Sequence, residues 1–143
     1  MTALNWNSRD LTNSPAGSAG ATTGGVAVVL RLEGLLVLGV AVAGYRLLGQ
    51  GWPMFALLFL VPDLSMLGYL VDRRVGAASY NFGHSYLSPG VLALAGLGLG
   101  MPVLWALALI WVAHIGFDRA LGYGLKYQTA FGATHLGAKG RAA

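Results

Sequence analysis

The sequence predicts an all-α integral membrane protein, a four-helix bundle with both termini in the cytoplasm. Apolar residues make up 56% of the 143 residues and charged residues only 10%, whereas soluble domains have about 45–50% and about 25%. The apolar residues form four long runs, and Lys and Arg collect at one end of these runs. None of the runs alternates with the two-residue period of a membrane β-barrel, so helices are favoured.

The absence of Cys and the net charge narrow the class of protein further. Cys is absent, which excludes a disulfide framework and thiolate metal ligands, so any metal site must use His, Asp and Glu. A net charge of +4 would suggest nucleic-acid binding in a soluble protein, but basic residues of membrane proteins collect in cytoplasmic loops. We therefore expect the lipid bilayer as the partner, and no nucleic acid.

The predicted spans lie between two polar segments. Residues 1–25 are rich in Asn, Ser, Thr, Gly and Ala, which is typical of a disordered tail. Residues 123–143 form a basic, Gly-rich tail on the cytoplasmic side. In the third span, Ser88 and Pro89 predict a kink or a break. The four spans cover residues 26–48, 52–71, 75–99 and 102–122.

The distribution of basic residues sets the predicted orientation. Four spans place both termini and the turn after the second span on one side of the membrane. The other side holds only Arg46. The positive-inside rule therefore places both termini in the cytoplasm. The eight basic residues on the cytoplasmic side are Arg9, Arg31, Arg73, Arg74, Arg119, Lys126, Lys139 and Arg141.

Three acidic residues and two histidines fall inside the apolar runs, where an ionisable group costs about 2.5–3.5 kcal/mol on insertion scales. At about 1.5 Å per residue, four of them lie about 10–14 Å from the cytoplasmic end, and Asp118 lies one turn below His114. We therefore expect these side chains to share one layer. The five residues are Glu33, Asp63, His84, His114 and Asp118.

Carboxylates and imidazoles that converge in a cleft match the ligands of a divalent cation such as Zn, Mn, Fe or Mg. Pro62 favours this interpretation for Asp63, because a proline in a span opens the helix just before it. Other interpretations stay open. Glu33 lies near a span end and can simply reach the interface, and His84 taken alone is typical of a packing residue that forms a hydrogen bond.

Four segments resemble an uncharacterised family of small bacterial four-span membrane proteins, over about residues 31–137. This resemblance implies the four-span topology and a multi-pass protein of the bacterial cytoplasmic (inner) membrane, but no activity. The segments are PDLSMLGY (62–69), NFGHSY (81–86), AHIGFDRALGYGLKY (113–127) and ATHLG (133–137).

More distantly, the order Pro-Asp-Leu, Gly-His-Ser and His-x-x-x-Asp resembles inner-membrane metal-dependent hydrolases that include the LexA-binding type. The resemblance implies a set of metal ligands: Asp63, His84, His114 and Asp118. The chain departs from that pattern at two points. Ser65 stands where the family has a second Asp, and the N-terminal His ligand is missing unless Glu33 replaces it.

These observations together predict a metal-dependent membrane hydrolase whose lipidic or phosphorylated substrate enters from the inner leaflet. Either Glu33 or Asp118 would serve as the base. Basic side chains near the cytoplasmic face would hold an anionic headgroup. These are Arg73, Arg74, Arg119 and Lys126.

Two other classes of function stay open. The first is a cation or proton translocator, in which the same groups form a relay. Residues 35–43 and 91–99 lack ionisable groups, so a complete path through one chain is disfavoured, although a homo-oligomer could create one. The second is a non-catalytic scaffold, in which the polar cluster fixes the register of the helices.

Overall fold

The computed structural model describes Thr22, residues 24–129 and residues 131–138. This part of the chain contains α1 (Gly24–Leu47), α2 (Trp52–Leu58), a 3₁₀ helix (Val61–Leu70), α3 (Arg73–Gly83), α4 (Leu87–Leu99), α5 (Pro102–Leu121), β1 (Ala133–Thr134) and β2 (Gly137–Ala138). Most of the predicted tail, residues 1–25, lies outside the described residues, and Gly24 and Gly25 already belong to α1.

Three stretches are long and apolar enough to cross a membrane: Gly24–Leu47, Trp52–Leu70 and Pro102–Leu121. The helix α4 is also apolar, but its 13 residues extend only about 20 Å, less than the roughly 30 Å of a bilayer core. The prediction of a helical protein with helices long and apolar enough to span a membrane is thus confirmed. Four complete spans and cytoplasmic termini stay predictions.

The predicted third span is divided into two helices. The helix ends at Gly83 and begins again at Leu87, so the break lies at His84–Tyr86 and not at Ser88 and Pro89. Pro89 falls in the first turn of α4. Backbone N–H groups there form no hydrogen bond within the helix, so the proline removes none. The break therefore places His84 at the end of a helix.

The second span changes from α2 to the 3₁₀ helix, with Pro62 near the start of the tighter winding. Residues three apart share one face of a 3₁₀ helix, and Pro62, Ser65 and Gly68 lie on the face that packs against α3. A Cβ at Gly83 would lie 2.6 Å from Ser65 Oγ. Ser79 Oγ donates a hydrogen bond of 2.7 Å to the Ser65 carbonyl. This packing fixes the 3₁₀ helix against α3.

The helices α1 and α5 approach closely because glycines face each other across their contact. A Cβ at Gly34 would lie 2.5 Å from the Cβ of Arg119, and a Cβ at Gly116 would lie 2.8 Å from the backbone nitrogen of Leu38. Small residues allow such close packing between membrane helices. The helix α5 also packs against α4, which places it in the centre of the fold.

The described part of the predicted C-terminal tail is folded against the bundle. The side chain of Asn81 brackets the backbone of Lys126, since its Nδ2 donates to the carbonyl (2.9 Å) and its Oδ1 accepts from the backbone N–H (2.7 Å). The strands β1 and β2 form a short antiparallel hairpin, and Lys126 pairs with Thr134 beside it. This segment therefore covers one end of the bundle.

Candidate metal centre

Four side chains that are distant in sequence converge at one end of the bundle. Asp63 comes from the first turn of the 3₁₀ helix, His84 from the break after α3, and His114 and Asp118 from successive turns of α5. One potential ligand atom from each lies within 4.8 Å of the other three. We call these four residues the cluster.

Four of the six distances between the cluster atoms are close to those of a small tetrahedral site, and the distance between the two carboxylates is within 4.8 Å. His84 Nε2 lies 3.4 Å from Asp63 Oδ1, 3.4 Å from Asp118 Oδ2 and 3.1 Å from His114 Nε2. His114 Nε2 lies 3.5 Å and 4.0 Å from the same two oxygens. In a regular tetrahedron with metal–ligand distances of about 2.0–2.1 Å, ligand atoms are about 3.3–3.4 Å apart. Four of these five distances are within about 0.3 Å of that value.

The hydrogen bonds of His84 also suit metal binding. Its Nδ1 lies 3.0 Å from the Tyr80 carbonyl oxygen, and because a carbonyl oxygen only accepts, Nδ1 carries the hydrogen. In the neutral ring the lone pair is then on Nε2, which faces the two carboxylates. A backbone carbonyl that fixes the tautomer in this way is typical of metal-binding histidines.

His114 is held differently. It is 2% exposed and lies within α5, where the ring of Phe59 packs edge-on against it at 5.3 Å. Its Nδ1 is buried without a hydrogen-bond partner among the described residues. Packing therefore orients His114, whereas a hydrogen bond orients His84.

Tyr80 contacts two members of the cluster but is not among the site residues predicted from the sequence. Its ring stacks on His84 with centroids 3.8 Å apart, and its hydroxyl lies 3.4 Å from Asp118 Oδ2. The only signal in the sequence is its position, four residues before His84, because residues four apart lie on the same face of a helix. Tyr80 thus links His84, at the helix break, to Asp118 on α5.

A headgroup-binding role requires the Lys126 side chain to face open space, but the structure buries it. Its side chain is 8% exposed, and its Nζ lies 3.4 Å, 4.5 Å and 5.2 Å from the ring centroids of Phe131, Tyr80 and Tyr69. Burial lowers the pKa of Lys126, and the charges of Asp118 and Asp63 partly oppose this change. The ammonium instead fixes the C-terminal segment against Tyr80 by cation–π contacts.

Arg119 was also predicted to bind a headgroup, but its guanidinium contacts other residues of the chain. It donates to the carbonyl of His84 at 3.2 Å and to that of Tyr123 at 3.4 Å, and it contacts the ring of His135. Of the four predicted basic residues, Arg73 and Arg74 are exposed, at the start of α3.

Glu33, one of the two predicted bases, does not join the cluster. It is exposed on α1 and lines a separate pocket of about 280 Å³ with Tyr86, Arg119 and His135. The reason is the packing of α1, because Gly34 faces α5 and the adjacent residue points about 100° away on a helix. Asp118, the other predicted base, lies in the cluster.

The cluster opens on the side of Asp63. The Asp63 side chain is 44% exposed and that of Asp118 is 18% exposed, whereas both histidines are 2% exposed. A molecule outside the bundle therefore reaches the cluster past Asp63.

Comparison with known proteins gives a family but no activity. The comparisons with curated proteins and with solved structures gave no significant match. A family model described as a domain of unknown function, DUF4260, matches residues 27–138, a range that includes the whole cluster and the folded C-terminal segment. The chain therefore belongs to the DUF4260 family.

Proposed function

We propose that the protein is a metal-dependent hydrolase of the membrane, with the cluster as its metal-binding centre. The observation that carries the proposal is the convergence of two imidazole nitrogens and two carboxylate oxygens at distances that suit a tetrahedral site. No Lys or Arg nitrogen lies within 4.0 Å of these two carboxylates, so within the described residues a cation is the natural partner for them.

The ligand set favours particular metals. Zn, Mn and Fe accept both imidazole and carboxylate, whereas Mg prefers oxygen ligands and keeps several waters. When bound, a divalent cation supplies Lewis acidity, which makes water more acidic and polarises the bond to be cleaved.

The chain's own residues have separable roles in this proposal. Asp118 offers one oxygen to the cluster, and its second oxygen can accept a proton from water. Asp63 lies at the open face, where the substrate arrives. Arg73 and Arg74 are exposed and can attract an anionic headgroup. The distant resemblance of the motif order to that of LexA-binding-type hydrolases is the basis for proposing the same roles for the cluster, and a bacterial inner membrane as the location.

Metal content and hydrolysis can be tested on the full chain purified in detergent. We expect wild type to bind one Zn²⁺ or Co²⁺ per chain by elemental analysis and D63N to bind less than a tenth of that. D72N is the matched control. Asp72 caps α3 by accepting from Arg74 N (2.7 Å) and Val75 N (2.8 Å), and Asn also caps helices.

Loaded wild type should hydrolyse at least one member of a panel of chromogenic esters and phosphodiesters, and D118N should lose that activity. A wild-type protein that binds no metal, or a D63N protein that binds metal as wild type does, would contradict the metal centre. Full metal binding with no hydrolysis of any panel member would contradict the hydrolase.

A further inference from the structure

A partly open apolar cavity of about 320 Å³ is lined by residues that neighbour the cluster along the chain. Its walls come from α2, the 3₁₀ helix, α3, α4 and α5. Three of its lining residues adjoin cluster residues along the chain: Pro62 precedes Asp63, Gly83 precedes His84, and Ile110 lies one turn before His114. The cavity walls and the proposed metal centre are therefore built from the same turns of the chain.

The chemistry of the walls favours a hydrocarbon occupant. Only Ser65 and Trp111 bring polar side-chain atoms to the lining, and Trp111 Nε1 already donates to the Gly83 carbonyl at 2.6 Å. A buried water needs about two to four polar partners, and the Ser65 hydroxyl, which has no hydrogen-bond partner among the described residues, offers one. The cavity thus suits a methylene chain better than water.

A larger groove of about 720 Å³ lies beside the cavity along α4. Phe82, Leu92 and Trp111 line both spaces. The groove has a polar side near the helix break, at Asn81, Ser85 and Ser88, and an apolar side farther along α4. A space that is polar near the cluster and apolar away from it matches an amphipathic molecule.

We propose that the cavity and groove hold one acyl chain of a membrane lipid, whose polar part then lies at the cluster. This inference rests on the proposed function and narrows its substrate class to acyl lipids. The occupant follows from the surroundings, since two walls of the cavity belong to Trp52–Leu70 and Pro102–Leu121, which are long and apolar enough to cross a bilayer, and a third belongs to the shorter apolar helix α4. Acyl chains are the apolar molecules that a bilayer presents to such an opening.

The chain offers a matched control surface. A second apolar groove, of about 500 Å³, is lined by α1 alone and includes Leu35, Gly39 and Ala43. None of its lining residues adjoins a cluster residue. Annular lipid will contact both grooves, but only the α4 groove should bind a chain saturably.

The test uses the full chain in phosphatidylcholine nanodiscs that contain a trace of a diazirine-labelled fatty acid. Mass spectrometry should locate labelling in residues 82–95 and 107–111, and excess unlabelled fatty acid should suppress it. L92W and L107W, two independent variants that fill the cavity, should reduce this labelling about tenfold. G39W should leave it unchanged.

Each outcome has a defined meaning when Co²⁺ binding is measured on the same samples. Equal, unsaturable labelling of both grooves means annular lipid and overturns the inference, as does a crosslink between two copies through the α4 groove. Loss of labelling in L92W or L107W with Co²⁺ retained supports the inference. Saturable labelling in wild type without Co²⁺ binding would leave a lipid site but overturn the hydrolase.

Discussion

The helix pair formed by α1 and α5 is continuous, whereas the chain between Trp52 and Leu99 changes to a 3₁₀ helix and then breaks at His84–Tyr86. Each region supplies one aspartate and one histidine to the cluster. Continuous α5 stacks His114 above Asp118 because they are four residues apart. The interrupted region brings Asp63 and His84 together from separate elements.

The two histidines show what each region contributes. The ring of His84 reaches the Tyr80 carbonyl, and this hydrogen bond orients it. Within α5, His114 Nδ1 has no such partner among the described residues. A regular helix thus sets the spacing of two ligands, whereas the helix end also supplies a group that sets the orientation of one of them.

The largest expected effect comes from removing either histidine. We expect H84A and H114A each to weaken Co²⁺ binding by at least about 100-fold, since direct ligands should matter more than outer partners, whose loss costs about 10–100-fold. Titration followed by Co²⁺ absorption measures this change. H135A removes the described histidine outside the cluster and should bind Co²⁺ as wild type does. If H84A kept its affinity, the ligand proposed at the helix break would not be needed for the site.

The next effect concerns the continuous pair alone. We expect G34A to lower the free energy of unfolding by about 2 kcal/mol, as overpacking typically does, because its Cβ would lie 2.5 Å from the Cβ of Arg119. Thermal unfolding in detergent measures the change. G39A is the control on the same helix, since a Cβ there meets nothing within 4 Å. Equal stability of the two variants would show that α1 and α5 do not pack this closely.

The smallest effect separates orientation from stability. We expect Y80F to weaken Co²⁺ binding about tenfold and to shift its absorption bands, because the variant keeps the ring but loses the hydroxyl beside Asp118. Y45F is the control. It loses a 2.7 Å hydrogen bond to the Gly51 carbonyl, so its stability should fall by about 1 kcal/mol without a change in the bands. Unchanged bands in Y80F would contradict a positioning role for Tyr80.

The depth of the residues along the helices predicted that five side chains share one layer, and four of them converge in the structure. Helical rise alone places Asp63, His84 and His114 at similar depth, and a four-residue spacing places Asp118 beside His114. Glu33 met the same depth criterion but points elsewhere, because depth does not determine which face of α1 meets α5. Which face of α1 meets α5 depends on the contact of Gly34 with α5, a helix that is distant in sequence.

Local structure was harder to predict than depth. Pro89 indicated a break, but proline is tolerated in the first turn of a helix, and the chain breaks at His84–Tyr86 instead. The 3₁₀ winding depends on packing of Ser65 and Gly68 against α3, which composition does not reveal. Lys126 was predicted to hold a headgroup because it is basic and close to the predicted cytoplasmic face. Its burial could not be predicted, because its aromatic neighbours come from separate segments of the chain.

The 3₁₀ helix has a mechanical consequence for the second span. At about 2.0 Å per residue its ten residues extend about 20 Å, whereas an α-helix of ten residues extends about 15 Å. Asp63 and Tyr69 are six residues apart, which is two full turns of a 3₁₀ helix, but relaxation to α-helical winding would twist them about 120° apart. Asp63 belongs to the cluster, and Tyr69 contacts Lys126. The segment is therefore wound more tightly than an α-helix between these two contacts, and a change to α-helical winding would separate Asp63 from the cluster or Tyr69 from Lys126.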